Sequence, residues 1–267
     1  MEESKGKQRK LKYNFALKNR MKKYDLKFIS DHDIYEHVKA TVLKYRFQID
    51  LEAFNKNLLD PIKLTFDAKV YKKTIEAVLE SEIIRQMDKS NTNHIGYFHQ
   101  NIFKYFGNGW TVPTEGYDII NAVQHIYVEM KNKHNTMNSS SSQKTYMQMQ
   151  NTLLKNPKAS CYLVEVIASK SQDIVWKTSL DQTSVSDERI RRISIDQFYA
   201  LVTGNKLAFK QLCELLPTII ADVVDDIKLD EASNTVLDEL KRIDENLLKC
   251  MYLLSFKTYE GFDDFHV

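Results

Sequence analysis

The residues best suited to chemistry are two carboxylates and a lysine near the middle of the chain. Asp118 precedes an apolar stretch, Glu129 stands eleven positions later, and Lys131 follows two positions after that. Apolar residues alternate with polar ones over 125–131, which predicts a β-strand. Because side chains alternate between the two faces of a strand, Glu129 and Lys131 share one face. The acid and the base therefore project together.

A hairpin would bring the second carboxylate to the same place. If the strands on either side of a tight two-residue turn at Val123 and Gln124 pair with each other, Asp118 lies directly opposite Glu129. Cross-strand Cβ atoms are then roughly 4.5 to 5.5 Å apart. Two carboxylates at that distance repel each other unless a divalent cation binds both. We expect one or two Mg²⁺ ions here, because Mg²⁺ prefers a few carboxylates together with water and phosphate oxygens.

Lys131 completes a set of groups suited to phosphodiester hydrolysis. That reaction needs a water made nucleophilic, stabilisation of charge on the phosphate, and help for the leaving oxygen. Metal ions and a nearby ammonium can supply all three, so Lys131 is predicted to orient the water or help deprotonate it. The alternative is a surface hairpin whose Asp118, Glu129 and Lys131 only face solvent, because a Glu-x-Lys triplet often occurs by chance.

Composition indicates an ordinary globular protein. The chain has 267 residues, and a hydrophobic content of 43% is enough for a substantial core. Cys161, Cys213 and Cys250 are odd in number and widely spaced, which argues against a disulfide framework and against a cysteine metal site. The absence of a long apolar run or a secretion signal predicts a soluble cytoplasmic protein without a membrane partner.

Charge is distributed unevenly along the chain. Residues 1–23 carry nine Lys or Arg against two Glu, a local charge of +7, whereas the whole chain has +2. We therefore predict a basic arm over residues 1–30, which is either a solvated, disordered tail or an attachment to DNA phosphates. No Gly-, Pro- or Ser-rich linker divides the remainder, so residues 31–267 are expected to form a single domain.

Apolar periodicity predicts a mixture of helices and strands. The expected helices are 31–59, 70–87, 93–106, 142–155, 197–203, 207–224 and 231–254. The expected strands are 110–113, 117–121, 125–131, 161–168, 174–177 and 190–195. The order helix, three strands, helix, strand indicates an α/β (α+β) fold with a mixed central sheet flanked by helices, a core over about 80–225, and extra terminal helices. The last helix is either a dimer seam or a helix packed on the core.

Longer blocks of sequence carry a resemblance to a known family. They are FNKNLLDPIKLTFD at 54–67, EIIRQMDKSNTNHIGYFHQNIF at 82–103, IYVEMKNKHNTMNSSSSQKTYMQMQ at 126–150 and RISIDQFYALVTG at 192–204. With Asp118 as the first acid and Glu129-Met130-Lys131 as the ExK element, the chain resembles the PD-(D/E)XK nucleases. The blocks are similar to type II restriction endonucleases that recognise the interrupted palindrome GGNCC. One departure is Tyr117, where the superfamily often has proline.

The resemblance implies a PD-(D/E)XK nuclease core and a prokaryotic, Mg²⁺-dependent enzyme that makes double-strand breaks in DNA. A palindromic target implies a homodimer with one active site per strand. A cognate DNA methyltransferase is implied as a functional partner that protects the host's own sites. Two alternatives stay open, namely a structure-selective nuclease of the junction-resolvase type and a DNA-binding protein with an inactive centre.

The resemblance also directs attention to the helix that precedes the strands, since many relatives carry a metal-binding glutamate there. Glu82 lies one helix earlier and is a candidate third metal ligand, or else a solvated helix charge. His99 and Gln100 occupy the equivalent helix. They are candidates for active-site support, for DNA contact, or for satisfying each other within the core.

Polar segments around the predicted hairpin are the candidate DNA contacts. Arg and Lys can donate to guanine O6 and N7, Asp and Glu can accept from cytosine N4, and helix N-terminal amides can bind phosphate. Three patches qualify: Arg85, Asp88, Lys89, Asn91 and Asn93; then Lys133, His134, Asn135, Asn138 and Ser139; and finally the basic end of 177–192, with Arg189, Arg191 and Arg192. The serine run at 139–142 is alternatively a linker or a helix cap.

Overall fold

A computed structural model describes residues 23–180, 182–229, 233–257 and 266–267. Most of the predicted basic arm, residues 1–22, lies outside the described residues. Contacts between Cα atoms divide the chain into two compact units, one of residues 1–42 and 96–226 and one of residues 43–95 and 227–267. The single domain expected over 31–267 stays a prediction beside this division.

The described chain contains both helices and strands. The helices are α1 (Asp31–Val42), α2 (Leu51–Asn55), α3 (Pro61–Val70), α4 (Ile75–Asn101), a 3₁₀ helix (Ile102–Tyr105), α5 (Ser139–Lys155), α6 (Ile195–Thr203), α7 (Ala208–Asp226), α8 (Val236–Ile243) and α9 (Leu247–Phe256). The strands are β1 (Gln48–Ile49), β2 (Trp110–Thr111), β3 (Ile119–Asn121), β4 (Ile126–Lys133), β5 (Ser160–Ile167), β6 (Asp173–Val175), β7 (Thr178–Leu180), β8 (Thr183–Val185), β9 (Ile190–Ser194) and β10 (Ser233–Asn234). No helix of the described residues is long and apolar enough to cross a membrane.

The central sheet lies in the first unit and has the order β2-β3-β4-β5-β9-β6. β2, β3 and β4 pair antiparallel, β5 and β9 extend the sheet in parallel with β4, and β6 closes it antiparallel to β9. A parallel pair needs a crossover connection, and α5 provides it between β4 and β5. The predicted mixed sheet flanked by helices, with its order of helix, three strands, helix and strand, is confirmed.

The register of the β3–β4 hairpin is the one that the sequence predicted. The paired residues are Ile119 with Val128, Ile120 with Tyr127, and Asn121 with Ile126. Extending this register by one residue sets Asp118 opposite Glu129.

The predicted two-residue turn at Val123 and Gln124 is wrong, because pairing stops at Asn121 and four residues form the loop. The side chain of Asn121 explains the early stop, since its Oδ1 accepts from the Gln124 N–H at 3.0 Å and its Nδ2 donates to the Asn108 carbonyl at 2.9 Å. These bonds replace the last ladder pair. His125 closes the loop in the left-handed region with φ of +55°.

Each face of the sheet packs against a different core. On one face lies a buried cluster made of Tyr117, Tyr146, Met149, Leu153, Ala159, Cys161, Leu163, Trp176 and Ile190, to which α5 contributes one stripe. Tyr162 alternates with Cys161 and Leu163 and so points to the other face, where its ring lies 6.3 Å from Phe198. Phe103 packs there against Phe198 with ring centroids 5.0 Å apart.

The predicted ends of three N-terminal helices are wrong. The helix expected over 31–59 stops at Val42, and the helices expected over 70–87 and 93–106 merge into α4. The two expected helices continue into one another because the polar residues 88–93 contain neither Gly nor Pro, and solvent-facing polar side chains do not end a helix. The break at Pro61 is confirmed, although it starts a helix: Asp60 caps α3 by accepting from the Ile62 N–H at 2.9 Å.

The single C-terminal helix expected over 231–254 is also wrong. Residues 230–232 lie outside the description, Ser233–Asn234 form β10, and the residues that follow form α8 and α9, separated at 244–246. Asn246 starts the second helix by accepting from the Lys249 N–H at 3.0 Å. Of the apolar residues of the expected seam, Val236, Leu240 and Leu247 are buried in the core of the second unit, whereas Ile243 and Leu254 are exposed. Packing on a core is observed for these three residues, and the dimer seam stays a prediction.

Candidate active site

The hairpin brings together the three residues that the sequence predicted to carry the chemistry. Asp118 lies just before β3, and its Oδ2 accepts a hydrogen bond from the backbone N–H of Met130 at 2.7 Å. Its carboxylate is thereby held against the strand that carries Glu129. Glu129 and Lys131 point to the same side of β4, with Lys131 Nζ 3.4 Å from Glu129 Oε2. An acid, a second acid and an ammonium therefore share one surface.

The electrostatics of Glu129 show why a cation suits this position. The Glu129 side chain is only 12% exposed, whereas Lys131 is 33% exposed. Burial raises the pKa of Glu129, and the charge of Asp118 raises it further, while Lys131 partly offsets both effects. The ionised form is disfavoured until positive charge approaches.

A divalent cation fits these residues. Within the described part of the chain, no group of three or more His, Cys, Asp or Glu side chains could hold a metal. Asp118 and Glu129 are two carboxylates on one face of the sheet, and Mg²⁺ binds proteins through one or two carboxylates while water and substrate phosphate complete its coordination. The pair therefore suits a hard cation that binds together with its substrate.

Helix α5 adds a residue that the sequence analysis missed. A side-chain hydrogen bond from Gln148 lowers the pKa of Glu129. The helix itself was predicted, but its rotation over the sheet depends on the buried stripe of Tyr146, Met149 and Leu153. The alternation of glutamine and methionine over 147–150 was the only local signal, and it does not say which glutamine faces the strand.

The same helix also supports the first carboxylate. Tyr117, which stands where the superfamily often has proline, shares a hydrogen bond of 2.8 Å between its Oη and Thr152 Oγ1. Thr152 lies one turn after Gln148 and donates to the Gln148 carbonyl at 3.1 Å. One face of α5 thus contacts both Glu129 and the residue next to Asp118.

Glu165 is a second residue that sequence analysis missed. It lies on β5 as the register partner of Lys131 and is 1% exposed. Arg192 Nε donates to its Oε1 at 2.7 Å, and Arg192 Nη2 donates to the same oxygen. No motif identifies Glu165, because it stands inside an apolar strand that reads as core.

The candidate metal ligand Glu82 and the candidate support residue His99 each have their own local environment. Glu82 belongs to the second unit, where its carboxylate accepts from Arg85 Nε at 2.6 Å and from Gln86 Nε2 at 3.2 Å. His99 lies in the first unit, and burial together with the nearby His37 lowers its pKa to about 4. Its Nδ1 is buried and has no hydrogen-bond partner within the described residues. Metal binding by Glu82 and active-site support by His99 and Gln100 stay predictions.

The three candidate arginines are all engaged with carboxylates. Arg189 pairs with Asp187 at 3.1 Å, Arg191 pairs with Asp173 at 2.6 Å, and Arg192 pairs with Glu165. These bonds occupy donors that phosphate or base contacts would need. Their predicted DNA contacts stay untested, and each of them competes with an ion pair within the protein.

The candidates around α5 are more accessible. Lys133, His134, Asn135, Asn138 and Ser139 are exposed along the segment that follows β4. Asn138 caps α5 by accepting from the Ser141 N–H at 2.8 Å, so the serine run forms the first helical turn and is not a linker. The helix-cap alternative is the one observed.

The remaining patch lies on α4. Lys89 and Asn93 are exposed, Arg85 pairs with Glu82, and Asn91 accepts from the Arg46 backbone N–H at 2.8 Å. DNA contact by this patch stays a prediction.

Comparison with known proteins places these residues in a family context. The model of a family described as Eco47II restriction endonuclease matches residues 26–225. The type II restriction enzyme Sau96I of Staphylococcus aureus is 32% identical over 222 residues, which cover 78% of this chain and 85% of that protein. The type II restriction enzyme Eco47II of Escherichia coli is 30% identical over 210 residues, which cover 73% of this chain and 86% of that protein. The family match spans Asp118, Glu129 and Lys131.

The lowered pKa of His99 predicts acid sensitivity of the fold. Its pKa is about 4 in the folded protein, below the ordinary value of 6.5, so the unfolded chain takes up this proton first as the pH falls. Between pH 7 and pH 5 the free energy of unfolding should decrease by about 2 kcal/mol on account of this group. Urea denaturation of the parent and His99→Gln at both pH values measures the difference.

The exposed His32 provides the matched control. His32→Gln should keep the parental pH dependence, whereas His99→Gln should lose less stability on acidification. Equal losses in the parent and His99→Gln would show that His99 is not held neutral by the fold.

Proposed function

The chain belongs to the Eco47II restriction endonuclease family, and from this premise we propose that Asp118, Glu129 and Lys131 form its Mg²⁺-dependent hydrolytic centre. The proposal is carried by one observation, the Met130 N–H bond that holds Asp118 beside the strand of Glu129 and Lys131. This bond brings two carboxylates that are eleven residues apart in the sequence together on one face of the sheet, with an ammonium beside them.

Each residue has a separate role in the proposal. Asp118 and Glu129 bind one or two Mg²⁺ ions, which supply Lewis-acid stabilisation of the phosphate when bound. Lys131 would orient the attacking water by donating from its partly exposed ammonium, or, as the neutral amine, would help deprotonate it. Gln148 orients the Glu129 carboxylate, since it contacts that side chain from α5.

The proposed substrate is double-stranded DNA with the interrupted palindrome GGNCC. The resemblance of the sequence blocks supports this target, and the similarity to two type II restriction enzymes supports DNA as the substrate. A palindrome pairs naturally with a two-fold symmetric homodimer that cuts both strands. The exposed segment 133–139 directly follows the catalytic strand and is the proposed contact with DNA near the scissile phosphate. A methyltransferase that modifies the same sequence would protect the host genome.

Cleavage of mixed-sequence DNA tests the activity and its target together. Purified protein with Mg²⁺ should give discrete fragments, because recognition of four defined positions selects few sites. Sequencing the fragment ends should place every cut at one fixed position relative to a GGNCC sequence. Discrete ends at another shared sequence would change the assigned target, whereas no discrete fragments at any enzyme concentration would contradict the proposed activity.

Removing Glu129 should separate cleavage from binding. Glu129→Ala should lower the cleavage rate by roughly 10²-fold or more, since a metal ligand and its charge are lost. Binding to a target duplex in Ca²⁺, measured by fluorescence anisotropy, should persist. Glu214→Ala, which removes an exposed helix carboxylate, is the matched control and should cleave at the parental rate. A Glu129→Ala rate within tenfold of the parent would refute the assignment.

Glu129 should also cost stability in the metal-free protein. Its pKa is raised in the folded state, so its contribution to stability is lost as the pH rises through the folded pKa and the buried carboxylate ionises. Glu129→Gln should therefore raise the Tm at pH 8 by about 2 °C or more. Added Mg²⁺ should raise the Tm of the parent more than that of the variant. A lower Tm for Glu129→Gln in EDTA would contradict the unfavourable pairing with Asp118.

A further inference from the structure

Three neighbouring strands carry charged side chains on the face of the sheet that contains the candidate active site. Lys131 on β4 is the register partner of Glu165 on β5, and the register partner of Arg192 on β9 is Leu163, two residues before Glu165. Register partners in parallel strands project to the same face, and so do residues two apart. Lys131, Glu165 and Arg192 therefore form a row that runs outward from the catalytic strand.

The middle member of this row is a buried charge. Glu165 is 1% exposed, and its Oε1 accepts from both Nε and Nη2 of Arg192. Its Oε2 is also buried and has no hydrogen-bond partner within the described residues. A buried carboxylate is costly unless a cation pairs with it, so Glu165 depends on Arg192. The arginine in turn is held in one orientation by a two-point contact.

Arg192 also contacts the segment that follows β4. Its Nη2 donates to the backbone carbonyl of His134 at 3.0 Å, and the backbone N–H of His134 donates to the Ile167 carbonyl at 3.0 Å. Both backbone groups of His134 are thus fixed to neighbouring strands. His134 lies three residues after Lys131 and four before Asn138, which caps α5.

We propose that Arg192 is a positioning residue of the active site and not a DNA contact. The buried Glu165 fixes the guanidinium, and the guanidinium fixes His134 and the segment between the catalytic strand and α5. At one end this segment fixes the position of Lys131. At the other end it fixes the position of α5, the helix that presents Gln148 to Glu129. The inference rests on the proposed function of Asp118, Glu129 and Lys131.

The two possible roles of Arg192 predict different dependences on salt. A phosphate contact releases counterions, so its removal lowers the slope of log Kd against log salt by about one. A positioning residue leaves that slope unchanged and acts on the chemical step, where a displacement of about 1 Å can cost about 10²-fold in rate.

Single-turnover cleavage and DNA binding should be measured for the parent, Arg192→Gln, Glu165→Gln and the double variant. Cleavage is followed in Mg²⁺ on a duplex with one target site, and binding is followed in Ca²⁺ over a salt series. Both single variants should cleave about 10- to 100-fold more slowly with the parental salt slope. The double variant should be no slower than the slower single variant, because the two residues act as one unit.

Two results would overturn the positioning role. One is a salt slope that falls by about one in Arg192→Gln but not in Glu165→Gln, which would make Arg192 a phosphate contact. The other is parental cleavage by Arg192→Gln or by the double variant. Arg242→Gln, the same substitution at an exposed arginine of α8, should leave both the cleavage rate and the slope unchanged.

Folding and function are separated within the same experiment. If a single variant fails to fold because one buried charge loses its partner, the double variant, which removes both charges, tests the positioning role. Arg192→Lys tests it as well, since lysine keeps the charge but lacks the planar guanidinium with its two donors. Failure of the parent to cut any site would reject the proposed function. A parent that cuts and variants that cut equally well would reject only the role of Arg192.

Discussion

Two carboxylates that repel each other are held on one face of the sheet, and much of the surrounding structure serves to keep them there. The backbone N–H of Met130 fixes Asp118 against β4, and the hairpin register sets Glu129 opposite. Burial and the charge of Asp118 both disfavour ionised Glu129. A protein retains such an arrangement where the unfavourable charge is offset on binding a cation, which is why a costly site is evidence of function.

Helix α5 supports both carboxylates on this face. Its length and position follow from topology, because β4 and β5 are parallel and the chain must cross the sheet face to join them. Once Tyr146, Met149 and Leu153 are buried, Gln148 and Thr152 are brought to Glu129 and Tyr117. The hydrogen bond of the Tyr117 hydroxyl fixes the residue before Asp118 through its side chain. A proline at that position would instead restrict the backbone through its ring.

Ion pairs within the protein account for arginines that charge alone would assign to DNA. Arg189, Arg191 and Arg192 each bond a carboxylate on or beside the sheet. Phosphate contacts need donors that can be presented to a duplex, and donors already committed to carboxylates are less available. The largely exposed segment 133–139 has fewer such commitments and continues from the end of β4. Its position, more than its charge, makes it the part of the first unit best placed to meet a substrate.

Local pattern in the sequence was enough to predict that Asp118, Glu129 and Lys131 lie together, and to predict the hairpin register and the order of elements around the sheet. Strand alternation and hairpin pairing involve residues close in the chain. Helix ends were predicted poorly, since Asp60 and Asn246 start helices through caps, and no breaker separates the two halves of α4. Gln148, Glu165 and the partner of Arg192 were decided only by the tertiary structure. Glu165 and Arg192 are 27 positions apart and meet because β5 and β9 lie side by side. Such contacts depend on which strands become neighbours and on how a helix rotates over them, and that information arises only when the whole core packs.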